Sequence, residues 1–184
     1  MATEITIRPP LSEELSKPDS EWFCRTWAVA HSTLSMWRSS RNVRITYTDL
    51  KNGSVDDLVE YEKKGSLKTV AGVDTDLGKG DWKWRGKGLL KLITSEWKVL
   101  GYGQLPTGED GQVERWMVIW FAKTMFTEEG MDILTERKDG LPQQTLETIK
   151  KGLLELKDAP HLVKLVEEKM QPVEVKLPWI LSDS

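Results

Sequence analysis

The chain has 184 residues, a formal charge of −3 with both signs well mixed, one cysteine, and nine Trp against three Phe and three Tyr. This length suits one domain with a sizeable core, and the charge leaves no basic footprint for nucleic acid. The lone Cys24 excludes an internal disulfide and fits a reducing, cytoplasmic setting, while Met1 to Pro10 lack the apolar run of a secretion signal and no stretch approaches the roughly 20 apolar residues of a membrane helix.

Residues 1–20, with Pro9, Pro10 and Pro18, read as an arm laid over the domain. Asp19-Ser20-Glu21 can cap a helical turn through Trp22 and Phe23. Strands follow at Thr26 to Ser32, Val43 to Thr48, Leu58 to Lys63 and Leu67 to Asp74, with an Asn52-Gly53 turn signal between the second and third. Trp82 to Gly88 alternates Trp with cations, Leu89 to Ile93 continues or follows it, and Trp97 to Tyr102 is the next strand. Leu105 to Gly111 is a loop. Glu114 to Phe121 carries six consecutive apolar residues and reads as a strand buried on both faces, with Trp116, Val118 and Trp120 on one and Met117, Ile119 and Phe121 on the other. Met131 to Thr135 is the last strand. The stripe Leu146, Ile149, Leu153 then marks a helix after Pro142, and a second helix runs from His161 to Met170 before an extended tail. The pattern predicts a mainly β fold: an up-and-down antiparallel barrel of about eight strands over 22–137, with C-terminal helices over 142–170 packed outside, in one domain of 1–184.

Eight strands followed by an outer helix resemble the lipocalins, and Arg25-Thr26-Trp27 resembles their opening Gly-x-Trp with Arg25 in place of the glycine. The resemblance implies that Trp27 closes the barrel floor and that Arg137 stacks across it as a cation–π pair. Trp37-Arg38 to Thr48, Trp84 to Gly88, Glu96 to Gly103 and Phe126 to Ile133 also look like intracellular lipocalin-like proteins of fungi. Some of those, in secondary metabolism, fold a reactive polyene or terpenoid and promote its cyclisation. Such catalysis rests on shape and exclusion of water, so the absence of a nucleophile motif does not count against it.

The surplus of Trp suits the lining of a ligand cavity, although ordinary core packing is the better reading for any single ring. Alternation puts Trp27, Val29 and His31 on one face, with Ile45 and Tyr47 on the next strand, then Tyr61, Trp82, Trp84 and Trp97, and finally Trp116, Val118 and Trp120. If these faces point inward, they line an apolar space in which His31 and Tyr47 are the candidate catalytic groups that orient a guest. A structural role for His31 is the more common outcome. His161 belongs on the surface, and two separated His with one Cys give no basis for a zinc site, so neither metal nor cofactor is implied. For Asp132 and Glu96 an outward carboxylate is favoured over a buried acid, and Lys83, Arg85 and Lys87 form a solvated row. Gly86, Gly88, Gly101 and Gly103 read as barrel bends that make room for bulky partners. Three functions follow: a cyclase or isomerase of a hydrophobic metabolite, a carrier of one, or a protein-interaction barrel with a filled core. The first is favoured. The partner implied is a hydrophobic small molecule, with no nucleic acid or membrane, and the oligomeric state is left open.

Overall fold

The computed structural model describes residues 5–14, 17–105, 111 and 113–182. A single helical turn, α1 (Ser20–Phe23), is capped by Asp19, whose carboxylate accepts the Trp22 amide at 2.8 Å. Eight strands follow: β1 (Thr26–Ser32), β2 (Arg41–Asp49), β3 (Ser54–Lys63), β4 (Ser66–Gly78), β5 (Asp81–Gly86), β6 (Thr94–Leu105), β7 (Glu114–Phe121) and β8 (Gly130–Thr135). Each is antiparallel to its neighbour, and β1 pairs with both β2 and β8, so the sheet closes into a barrel. Leu89 to Ile93 is not strand. Gly88–Leu90 forms a 3-10 turn that leaves Leu89 and Leu92 exposed. The loop expected from Leu105 to Gly111 falls mostly outside the described residues.

Two layers of core result. Inside the barrel lie Trp27, Val29, Ile45, Tyr47, Trp82, Trp97, Met117 and Ile119. Outside it, helices α2 (Gln143–Leu154) and α3 (Pro160–Lys169) bury Leu146, Ile149, Leu153 and Leu162 against Trp116, Val118, Met131 and Ile133 of β7 and β8. The N-terminal arm crosses β6 where its register slips between Val99 and Gly101. A Cβ on Gly101 would come within 2.7 Å of the Thr6 carbonyl, so only glycine lets the arm lie this close. The Arg8 guanidinium is buried there, donating to the Val99 carbonyl at 2.8 Å and pairing with Asp81 at 2.8 Å.

The extended tail does more than its sequence suggests. Irregularities at Val29/His31 of β1 and at Arg41/Arg44 of β2 interrupt the two ladders. A short strand β9 (Gln171–Pro172) pairs with His31 and Ser32, and Glu174 bridges to Arg41 in parallel. Val173 packs into the interior cluster between these pairings. Asn42 then clamps the tail, its amide donating to the Lys176 carbonyl and accepting from the Lys176 amide, both at 2.7 Å. Asn42→Ala should lower stability by about 1–3 kcal/mol and speed hydrogen exchange at Lys176. Unchanged exchange there would mean that the clamp does not hold the tail.

Candidate functional site

One end of the barrel is sealed by rings. Phe23, carried inward by α1, stacks on Tyr47 with centroids 4.4 Å apart and on Trp82 at 5.2 Å. Trp82 in turn stacks on Trp97 at 5.6 Å, and Tyr47 on Trp97 at 5.7 Å. Near-parallel offset rings of this kind combine large burial with favourable quadrupole geometry. Trp27 is fully buried, and its indole N–H donates to the Phe23 carbonyl at 2.9 Å. The cation at this floor is not the expected one. Arg25 stands over Trp22, which itself packs on Trp27 at 5.1 Å, and Glu136 holds Arg25 at 2.9 Å. Arg137 pairs with Asp139 at 2.9 Å rather than stacking on Trp27.

Of the residues expected to line the interior, Trp27, Val29, Ile45, Tyr47, Tyr61, Trp82, Trp84 and Trp97 face inward. Trp116, Val118 and Trp120 do not: they are the outward side of β7, under the helices or beside them. Met117, Ile119 and Phe121 take the inner side. Both faces of this strand are apolar because both are covered, so alternation alone cannot tell them apart. His31 also turns outward. The β1 irregularity after Val29 shifts the alternation by one residue and sets His31 opposite Ile133 of the outer core. Burial and the Lys150 cation of α2 hold its imidazole neutral, lowering its pKa to about 4. Its side chain lies outside the barrel interior.

At the other end the inward side chains are less deeply buried. Val59, Tyr61, Trp84, Phe121 and Leu34 belong to the inner cluster yet stay partly exposed. Trp37, on the 3-10 turn Ser35–Ser39 that joins β1 to β2, dips into this rim and meets Tyr61 edge-on at 5.1 Å. Trp37 lies between the strands that periodicity predicts, and a bulky ring in a link rich in Ser and Arg is the signal available in the sequence. Besides a cavity of about 440 Å³ beside Trp179 and Lys138, two more of that size lie away from this rim. One is a crevice at the sealed end, reaching Phe23, Val55 and Trp82 between α1 and the β2–β3 turn. The other is an outer groove between Pro9–Leu11, Trp120 and the start of α3. In that groove Trp120 donates to Glu129 at 2.8 Å, and Lys98 is tied to Asp81 at 3.1 Å.

The interior is not wholly apolar. Asp57, Asp74 and Asp132 all point into it and are buried. Asp132, contrary to the outward reading, pairs with Ile119 in the ladder, accepts from the Ser32 hydroxyl at 2.5 Å, and is pushed up to about 7 by burial. Asp74 accepts the Trp97 indole N–H at 2.8 Å. Burial pushes both Asp57 and Asp74 above the ordinary carboxyl range, Asp57 further because Asp74 is beside it. The Tyr47 hydroxyl is driven well above its usual value by burial and then by the charges of Asp57, Asp74 and Asp132. Glu96 is exposed, as are Lys83, Arg85 and Lys87. Among the described residues no three His, Cys, Asp or Glu side chains converge as a metal-ligand set, and no helix is long and apolar enough to cross a membrane.

No family model matches the chain, and no curated protein matches it. Solved structures do. Lobster apocrustacyanin A1 superposes with a TM-score of 0.59 at 10% identity, over 94% of this chain and 92% of its own. The cockroach major allergen Per a 4 gives 0.62 at 14% identity, over 92% of this chain and 96% of its own. The fold is thus a closed, eight-stranded lipocalin-like barrel with C-terminal helices outside.

Proposed function

We propose that the chain binds a hydrophobic small molecule in the rim half of its barrel and acts on it as a cyclase or isomerase of fungal secondary metabolism. The observation that carries the binding is the split interior: rings seal one end, while inward-facing Tyr61, Trp84 and Phe121 remain open to solvent at the other. The solved lipocalin-like barrels support this reading through the fold, and the fungal resemblance supports the reaction class. A proton-bearing carboxyl in a dry, shaped space suits rearrangement without metal or nucleophile. A cytoplasmic setting accords with the single thiol, which is partly buried at Cys24. The filled-barrel reading is favoured only at the sealed end, where the rings pack on one another.

Titration with farnesol, retinol and a linear polyene ester should quench tryptophan fluorescence. Trp84→Phe should change that response, whereas Trp116→Phe and Trp120→Phe, on the outer wall, should still be quenched. No quenching by any of the probes would sink the binding reading. Conversion of a bound probe separates an enzyme from a carrier.

A further inference from the structure

Ser40 follows the 3-10 turn between β1 and β2, its amide donating to the Trp37 carbonyl at 3.2 Å. The residue is 5% exposed, and among the described residues its hydroxyl has no hydrogen-bond partner. A buried polar atom left without a partner carries a desolvation penalty that a suitable guest can relieve. A cavity of about 240 Å³ reaches Ser40, walled by Ser39 and Arg41, by Glu62 and the β3–β4 turn, and by Glu174 of the tail.

Local structure fixes the charged groups around this cavity. Lys63 pairs with Ser66, so Lys64 and Gly65 alone make the turn, at φ of 51° and 74°. So tight a turn holds Lys64 at the cavity wall. Arg41 stands opposite Glu62 in the β2–β3 ladder and bridges to Glu174 in the tail. Its Nε donates to Glu62 at 3.1 Å, while its two terminal nitrogens donate to no described residue. Glu62 is fully engaged, since the Asn42 amide reaches the same oxygen and the Ile180 amide the other. Lys64 and Glu174 are exposed, and neither side chain pairs with a described residue. A cation and an anion thus line one cavity without meeting, beside a buried hydroxyl.

We infer that this cavity is a binding site for a small zwitterion of the α-amino acid class. The carboxylate of such a guest accepts from the Arg41 terminal nitrogens, the Lys64 ammonium and the Ser40 hydroxyl, and its ammonium donates to Glu174. A plain anion leaves Glu174 opposed to it, and a plain amine does the same with Lys64. Only a guest with both charges satisfies the whole wall. The site is separate from the rim half of the barrel and does not depend on binding there.

The test titrates the full chain with L-alanine, propionate and ethylamine at neutral pH, followed by backbone amide chemical shifts. The three probes share a short apolar body and differ in charge. L-alanine should shift Ser40, Arg41 and Gly65, and bind at least about tenfold tighter than either single-charge probe, the scale of one charge-assisted hydrogen bond. Glu174→Gln should erase the preference for alanine over propionate. Lys64→Gln should weaken alanine and propionate together and leave ethylamine unchanged, and Ser40→Ala should do the same. Propionate or ethylamine binding as tightly as alanine overturns the zwitterion site, as does a preference that survives both Glu174→Gln and Lys64→Gln. Absence of alanine binding, or shifts confined to other parts of the chain, overturns it too. Lys64 and Glu174 are exposed, so their substitution leaves the fold intact and decides the matter even if Ser40→Ala does not fold.

Discussion

Raising the pH from about 4 to about 8 should withdraw a stabilising contribution of Asp132, and Asp132→Asn should remove that contribution to the pH dependence. In the unfolded chain this carboxyl titrates near its ordinary value of 3.8; in the fold, burial moves it to about 7. Between those values the folded state holds a proton that the unfolded state does not, so the favourable contribution is complete below about pH 4 and lost as the pH rises through about 7. The difference corresponds to roughly 4 kcal/mol, taking about 1.4 kcal/mol for each tenfold change in proton affinity. Asparagine keeps an acceptor for the Ser32 hydroxyl and never ionises. The variant should therefore match the wild type near pH 4 and exceed it at pH 8. The Asp57–Asp74 pair acts in the same direction. His31 acts in the opposite one: its pKa falls from 6.5 to about 4, so its contribution is present above pH 6.5 and is lost as the medium acidifies. Urea unfolding of both proteins across this range checks the prediction. Parallel curves would show that Asp132 ionises freely in the fold.

Phe23→Ala should cost about 3–5 kcal/mol, the usual scale for removing a buried aromatic ring whose surroundings cannot collapse. Collapse is hindered here because the rings around Phe23 are fixed by other bonds. Trp97 is tied to Asp74, and Trp27 to the carbonyl of residue 23 itself. The void would lie between Tyr47, Trp82 and Trp97, next to the crevice already present at that end. The substitution should lower the urea midpoint, weaken the near-ultraviolet dichroism of the coupled rings, and open the sealed end to solvent. A loss under about 1 kcal/mol with the dichroism intact would mean that the stack is not what seals the barrel.

Much of this arrangement could be read from local pattern. Val43 to Thr48 alternates and is strand, the Leu146, Ile149, Leu153 stripe is the buried face of α2, and Trp27 is indeed at the closed end. The misreadings share one cause, which is that alternation gives relative faces and not absolute ones. In β7 both faces are apolar, so only the helices outside and the register with β6 and β8 determine that Met117 looks in and Trp116 looks out. In β1 a single irregular residue after Val29 reverses everything beyond it, removing His31 from the interior and bringing Ser32 to Asp132.

The candidate site was legible in part for the same reason. Tyr47, Tyr61, Trp84 and Trp97 lie on regular stretches and keep their predicted side. Asp57 and Asp74 gave no signal, because an acidic residue in an exposed-looking strand is read as solvated. Their meeting depends on the pairing Asp57–Gly72 and Asp74–Trp84 across three strands. The sequence by itself determined the strand periodicity, the two helices and the aromatic surplus, since each depends on neighbours a few residues apart. Tertiary structure alone decided which face is the interior, that the tail fills the gap between β1 and β2, and that two carboxyls share an apolar space. Those outcomes depend on barrel closure, which brings together residues that no local preference connects.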